Sequence, residues 1–351
     1  MRDSLDPVIQ QIAEEELRNG LQRSGARRGH TLMIDPHTGE ILSFAEYPSM
    51  QRKMLFETRE PGSVFKLINY AICLSANEKL LSDGEDSLFS PNQWIPHCKN
   101  ISSEDLSPTK LLNLNVAIQK SSNNYPIQIV NQLVKKMGAA WYLNQLKETF
   151  RFGERVVPED QSGWLPTPGS FHANGNPHWY SNTPQALAIG YNLTATSLQL
   201  VQAYATIANR GIRPSLERKG KRVLSIETCN ILIEAMELVV QEGGTSPLGN
   251  IPGYRTAGKS GSVRKFIDGR YIKDRNFASF IGFAPAESPA FVLLVVLDEP
   301  VVKLTEHGPM NHGGTSAASI FREIGLRSLS IYNLLKNFLF IKTFKVSWII
   351  I

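Results

Sequence analysis

H-T-L-M-I-D-P-H-T-G-E-I-L-S-F-A, residues 30–45, decides how the chain begins to fold. Two β-prone runs flank P-H-T-G, and Gly39 supplies the residue a tight turn needs. That is a β-hairpin close to the start of the chain. Its partners come late. Tyr254 to Val263, Phe277 to Phe283 and Phe291 to Leu297 read as strands. The last two are apolar and β-rich, the pattern of central sheet strands. Two strands early and three late predict one mixed sheet assembled from both chain ends, with a helical lobe inserted between them. No regular βαβ alternation, G-x-G-x-x-G or P-loop pattern points to a Rossmann-type sheet.

Helix signals fill the interval and both flanks. Asp6 can cap a helix with Pro7 at its first position, and Gly20 is expected to end it after Asn19. Pro61-Gly62 breaks the chain, and from Ser63 to about Leu74 the apolar residues recur at helical spacing. Leu111 to Ile118, Ile127 to Met137, Leu198 to Ala208, Ile226 to Val240 and Thr315 to Leu326 read as further helices. Residues 82–108 read as loops. Residues 153–185, rich in Gly, Pro, Asn and His, form a long irregular stretch expected to border a binding cleft.

The bulk numbers suit a folded domain. At 351 residues, with 42% hydrophobic and 20% charged, the chain can bury a large core. A net charge of +5 favours anionic partners weakly. No dense Lys/Arg stripe is interleaved with aromatics, which argues against nucleic acid. Cys73, Cys98 and Cys229 form no C-x-x-C and no complete disulfide framework, so no metal or redox cofactor is expected. The start, M-R-D-S-L-D-P, lacks the apolar core of a signal peptide. The end, Phe338 to Ile351, is apolar but interrupted by Lys342 and Lys345, and reads as a packing tail rather than an anchor.

Three short patterns carry candidate chemistry. Ser63-Val64-Phe65-Lys66 places a hydroxyl and an amine three residues apart at a helix start, where they share a face. A lysine kept neutral can take the proton of such a serine, and the helix dipole adds a positive field. Two other S-x-x-K matches occur, Ser107 to Lys110 and Ser262 to Lys265, but neither opens an apolar helix. Ser121-Ser122-Asn123 brings hydroxyls and an amide to one loop, and Ser122-Asn123-Asn124 fits the same S-x-N pattern in a shifted register. Helix capping explains either equally well. Gly258-Lys259-Ser260-Gly261-Ser262 offers a cation and two hydroxyls on a strand whose glycines allow close backbone approach. An edge strand there could pair with an extended peptide. Taken singly, each pattern has an ordinary structural explanation. Their order, with a fitting element for each, makes the joint signal.

The ordered trio resembles that of penicillin-binding proteins and serine β-lactamases. E-P-G-S-V-F-K at 60–66 looks like the nucleophile region of class B penicillin-binding proteins. I-D-P-H-T-G-E-I-L at 34–42, residues 183–211, F-I-G-F-A-P at 280–285, L-D-E-P at 297–300 and G-G-T-S-A-A at 313–318 are also similar. The resemblance implies a mixed α/β (α+β) fold: a central, mostly antiparallel five-stranded sheet flanked by helices, with an inserted all-α lobe. It implies one transpeptidase domain over 1–328, with the sheet from about 30–46 and 254–298, the lobe at about 76–240, and 329–351 left as a tail.

The resemblance further implies a peptidoglycan D,D-transpeptidase that forms a serine acyl-enzyme and is inhibited by β-lactams. Ser63 would be the nucleophile, Lys66 its base, Ser121 a proton relay and Lys259 a source of positive field. Asn123 would bind the substrate amide, and Ser260, Gly261 and Ser262 the terminal carboxylate. Backbone N–H groups of Ser63 and Ser262 would form the oxyanion hole. Implied partners are stem peptides or their lipid-linked precursor, β-lactams and proteins of a cell-wall synthesis complex, at the periplasmic face of a bacterial inner membrane. The family's N-terminal membrane helix and pedestal domain have no counterpart in this sequence, and the 47–60 linker is short, as in a truncated member. A non-catalytic β-lactam sensor or scaffold, a β-lactamase and a D,D-carboxypeptidase remain as alternatives.

Overall fold

A computed structural model describes residues 6–49, 53–98, 111–215 and 220–346, with the backbone course alone from 333 onward. Its centre is a five-stranded antiparallel sheet. The strands are β1 (Arg28–Ile34), β2 (Ile41–Tyr47), β3 (Ala257–Ile267), β4 (Arg270–Ala284) and β5 (Phe291–Asp298), in the order β2-β1-β5-β4-β3. The two early strands are joined to the three late ones by β1 pairing with β5.

Side-chain alternation explains why β5 is apolar at every position. Val292, Leu294 and Val296 face one cluster, while Phe291, Leu293, Val295 and Leu297 face another. The first cluster includes the helical lobe. The second holds α1 (Pro7–Ser24) and α9 (Ala317–Val346), which cover the opposite face. A strand covered on both faces needs no polar side. The lobe contains α2 (Lys66–Ser82), α3 (Leu114–Gln119), α4 (Asn124–Met137), α5 (Ala139–Phe150), α6 (Thr183–Ala188), α7 (Ser197–Ala208) and α8 (Ile226–Val240).

Several boundaries differ from the sequence reading, each for a physical reason. Asp6 caps α1 as expected, its Oδ1 accepting from the N–H groups of Val8 (2.9 Å) and Ile9 (3.1 Å). But α1 runs through Gly20 to Ser24 and ends at Gly25, which takes φ 61°. Gly20 is there because a Cβ would stand 2.2 Å from Ile320 Cδ1 on α9. β4 begins at Arg270, not Phe277. Residues 264–276, mostly polar and largely exposed, continue β3 and β4 as a hairpin beyond the core, turned by Asp268 (φ 50°) and Gly269 (φ 79°). Both positive φ values mark the hairpin turn that Asp-Gly favours. α9 extends past Leu326 into the segment read as a tail. Among the described residues, no helix is long and apolar enough to cross a membrane.

Candidate active site

The serine turn comes first. Gly62 takes φ 58°, and a Cβ on it would stand 2.2 Å from Val263 Cγ2, so glycine lets the turn lie against β3. Gly62–Phe65 is a 3-10 turn rather than the first turn of an α-helix, and Lys66 opens α2 with its N–H donating to the Ser63 carbonyl. Residues three apart eclipse in a 3-10 turn, so Ser63 and Lys66 still share a face. Ser63 is half-buried; Lys66 is 1% exposed. Two distant contacts fix the turn. Gly62 N–H donates to the Gly190 carbonyl (3.0 Å), and the buried Tyr204 hydroxyl of α7 donates to the Val64 carbonyl (2.8 Å).

The 121–124 loop divides its labour between neighbours. Ser122 is the capping residue: its Oγ accepts from the N–H groups of Asn124 (3.1 Å) and Tyr125 (3.3 Å). Asn124 is buried with its amide donating to the Cys98 carbonyl (2.8 Å). Ser121 and Asn123 meet the lysine instead. Lys66 Nζ donates to the Ser121 carbonyl (2.7 Å) and to Asn123 Oδ1 (2.6 Å), and stands 3.4 Å from Ser121 Oγ. Ser121 holds φ 55°, a conformation that non-glycine residues rarely adopt without a reason.

β3 brings the third group. Lys259 is fully buried, and its ammonium donates to Ser121 Oγ (2.8 Å) and the Ser260 carbonyl (3.0 Å). Burial pulls its pKa down to about 7. The Ser121 hydroxyl therefore stands between two lysine amines from different elements. β3 is an edge strand of the sheet. Its glycines admit neighbouring protein: a Cβ on Gly261 would stand 2.6 Å from Ser279 Oγ and 3.1 Å from Val64 Cγ1. Ser262 Oγ accepts from the Gly313 N–H (3.1 Å), and Ser260 Oγ lies 3.4 Å from Thr245 Oγ1.

The structure thus brings Lys66, Ser121, Asn123 and Lys259 into one hydrogen-bonded cluster, with Ser63 on the turn that ends at Lys66. Ser260, Gly261 and Ser262 follow on the same strand. Of the other S-x-x-K matches, Lys265 is spent on ion pairs with Asp298 (2.8 Å) and Glu299 (2.8 Å). Ser107 and Lys110 lie outside the described residues. Thr245, Tyr204 and Gly313 also touch the site elements. The G-G-T at 243–245 is the one local signal that could have marked Thr245.

A cavity of about 620 Å³ adjoins the serine turn, lined among others by Glu60, Tyr191, Arg264, Tyr271 and Phe277. Glu60 accepts from the Tyr271 hydroxyl (2.9 Å) and the Asn192 N–H (2.9 Å), and burial raises its pKa. Among the described residues, no group of three or more His, Cys, Asp or Glu side chains could hold a metal ion.

Comparison with known proteins agrees in extent and kind. Residues 29–325 match the model of the penicillin-binding protein transpeptidase domain. The chain is 29% identical to the probable peptidoglycan D,D-transpeptidase PenA of Neisseria flavescens, over 93% of this chain and 82% of that protein. It is 29% identical to the peptidoglycan D,D-transpeptidase FtsI of Escherichia coli (strain K12), over 92% of this chain but only 54% of that protein. Among solved structures, the transpeptidase domain of penicillin-binding protein 3 from Burkholderia pseudomallei superimposes with a TM-score of 0.77 at 27% identity. That match covers 94% of this chain and 96% of that one.

Proposed function

The chain belongs to the penicillin-binding protein transpeptidase family, and from that premise we propose that it is a serine D,D-transpeptidase acting on peptidoglycan stem peptides. The observation that carries this reading is the Ser121 hydroxyl held between the amines of Lys66 (3.4 Å) and Lys259 (2.8 Å), beside the turn bearing Ser63.

In this reading Ser63 Oγ attacks the carbonyl carbon of the stem peptide's penultimate D-Ala. Lys66 takes the hydroxyl proton. The C–N bond to the terminal D-Ala breaks, and that amine leaves with a proton delivered through Ser121. An ester on Ser63 remains. An amine from a neighbouring strand then attacks the ester, the new amide forms, and Ser63 recovers a proton. Asn123 holds the substrate amide. Lys259 in its charged form, with Ser260 and Ser262, receives the terminal carboxylate. Gly261 keeps the strand close to the serine turn. Donors arranged in advance around a developing oxyanion are worth about 10²–10³ in rate each. The cavity beside Glu60 has room for the side chains of the stem peptide.

β-Lactams present the same carbonyl and carboxylate and would stall as Ser63 esters. The work belongs at the periplasmic face of a bacterial inner membrane, with other cell-wall synthesis proteins, in division or elongation of the cell.

The test is mass spectrometry of the chain after incubation with a fluorescent penicillin. One adduct on the peptide carrying Ser63, lasting many minutes, is expected. An adduct elsewhere, or none, overturns the serine assignment. Release within minutes makes the protein a β-lactamase instead.

A further inference from the structure

A second cavity, of about 500 Å³, lies between the β1–β2 turn, α7 and the short strand pair Ile212–Arg213 and Lys221–Arg222. It shares no lining residue with the cavity beside Glu60. Its volume falls in the range that holds small organic ligands.

Three observations describe what it would take. First, Arg151, Arg213 and Lys221 line it, and among the described residues no Asp or Glu does. Arg151 Nε is paired with Glu154 (2.7 Å). Second, Arg213 is anchored from one side only. Its Nη1 donates to the carbonyls of Glu148 (2.7 Å) and Thr149 (3.1 Å) at the end of α5. Among the described residues its Nε and Nη2 have no hydrogen-bond partner, so the guanidinium is held in place with donors to spare. Burial and the neighbouring Arg151 both weaken its hold on its proton, and this outweighs the nearby carboxylates of Glu154 and Glu148. Third, Gln202 Oε1 on α7 is buried with no partner, while Leu198 and Val201 of the same helix contribute apolar wall. A buried acceptor left unmade is costly, and a bridging water or the P–OH of a singly ionised phosphate monoester would relieve it.

We propose that this cavity binds an amphiphilic oxyanion, a phosphate monoester or carboxylate carried on a short apolar body. The oxyanion lies against Arg151 and Arg213, whose planar forks match such groups. The body lies against Leu198 and Val201. The site is separate from the Ser63 cluster and does not depend on the reading given to it.

Titration calorimetry of the whole chain tests the idea, with hexyl phosphate, hexanoate, inorganic phosphate and hexanol as probes. Saturable one-to-one binding of hexyl phosphate or hexanoate is expected, at least about tenfold tighter than inorganic phosphate or hexanol. Which of the two binds more tightly names the oxyanion. Arg151→Gln should weaken binding at least about tenfold. Arg213→Gln should do the same, but it also loosens α5. Gln202→Glu therefore serves as the independent variant: it keeps the shape, adds a negative charge and should repel the ligand equally. Penicillin labelling should be unchanged in Arg151→Gln and Gln202→Glu. No saturable binding overturns the proposal. So does binding that survives both of those variants, or inorganic phosphate binding as tightly as hexyl phosphate.

Discussion

Lys259 Nζ and Ser121 Oγ, 138 residues apart along the chain, lie 2.8 Å apart in the structure. The same hydroxyl stands 3.4 Å from Lys66 Nζ. One small side chain therefore joins the edge strand β3, the start of helix α2 and the loop before α4. Its backbone is held at φ 55°. Two buried amines sharing one hydroxyl cannot both carry full charge cheaply. In the proposed mechanism a proton passes between them, and Ser121 is the group that would carry it.

Ser63→Ala should abolish covalent penicillin labelling, a loss of about 10³-fold or more, because it removes the hydroxyl proposed to attack the β-lactam carbonyl. Ser107→Ala should label like the unaltered chain. Lys66→Ala should block acylation while circular dichroism stays native. In-gel fluorescence after a fixed incubation reads all three. Labelling that persists in Ser63→Ala removes this serine from the mechanism.

The buried Lys259 makes a pH prediction with a definite sign. A solvated lysine titrates near 10.5, whereas the folded chain holds Lys259 at about 7. Between those values the unfolded chain binds the extra proton, so this residue makes stability rise as pH rises from 7 to 10. Below pH 7 both states are protonated and the full penalty of a buried charge remains. Lys259→Met removes the effect. The stability of the native chain minus that of the variant, from urea unfolding, should grow across pH 7 to 10. A flat difference would show that Lys259 is not held neutral by burial.

Much of this arrangement was legible in the sequence. The hairpin at 30–45 and the apolar strand at 291–297 carry local signals that a core covered on both faces reinforces. Lys66 and Lys259 stood out because each sits in one of three short patterns whose order and element types fit together. The register of the S-x-N loop was not legible. Ser121-Ser122-Asn123 and Ser122-Asn123-Asn124 are chemically alike, and only the capping bonds of Ser122 and the inward turn of Asn124 separate them. Residues 264–276 were unreadable for another reason: a hairpin projecting beyond the core has no buried face to impose alternation. α5 was missed because Gly138 at φ 89° separates it from α4 by a single residue. Tyr204 and Thr245 matter only by where the fold puts them.

Gly190→Ala should unfold the serine turn from outside. Gly190 holds φ 80°, and a Cβ there would stand 2.1 Å from the Gly62 carbonyl oxygen. Strain and overpacking together should cost about 2–4 kcal/mol. The turn should move, so the acylation rate should fall even at temperatures where the variant remains folded. Thermal unfolding together with the second-order acylation constant checks it. Native stability and native acylation would mean that the Gly62–Gly190 contact does not hold the turn.

The adjacent serines give the sharpest contrast. Ser122 Oγ caps α4 from a fully buried position, so Ser122→Ala should cost about 1–2 kcal/mol in urea unfolding, the worth of a helix cap. Its acylation constant should change little once the protein is folded. Ser121→Ala should do the reverse. It removes no helix cap, so stability should shift by less than about 1 kcal/mol. It does remove the hydroxyl between Lys66 and Lys259, so acylation should slow by about 10²-fold or more. If Ser122→Ala abolished acylation while Ser121→Ala left it intact, the active register would be 122–124. The roles proposed for Ser121 and Asn123 would then fall together.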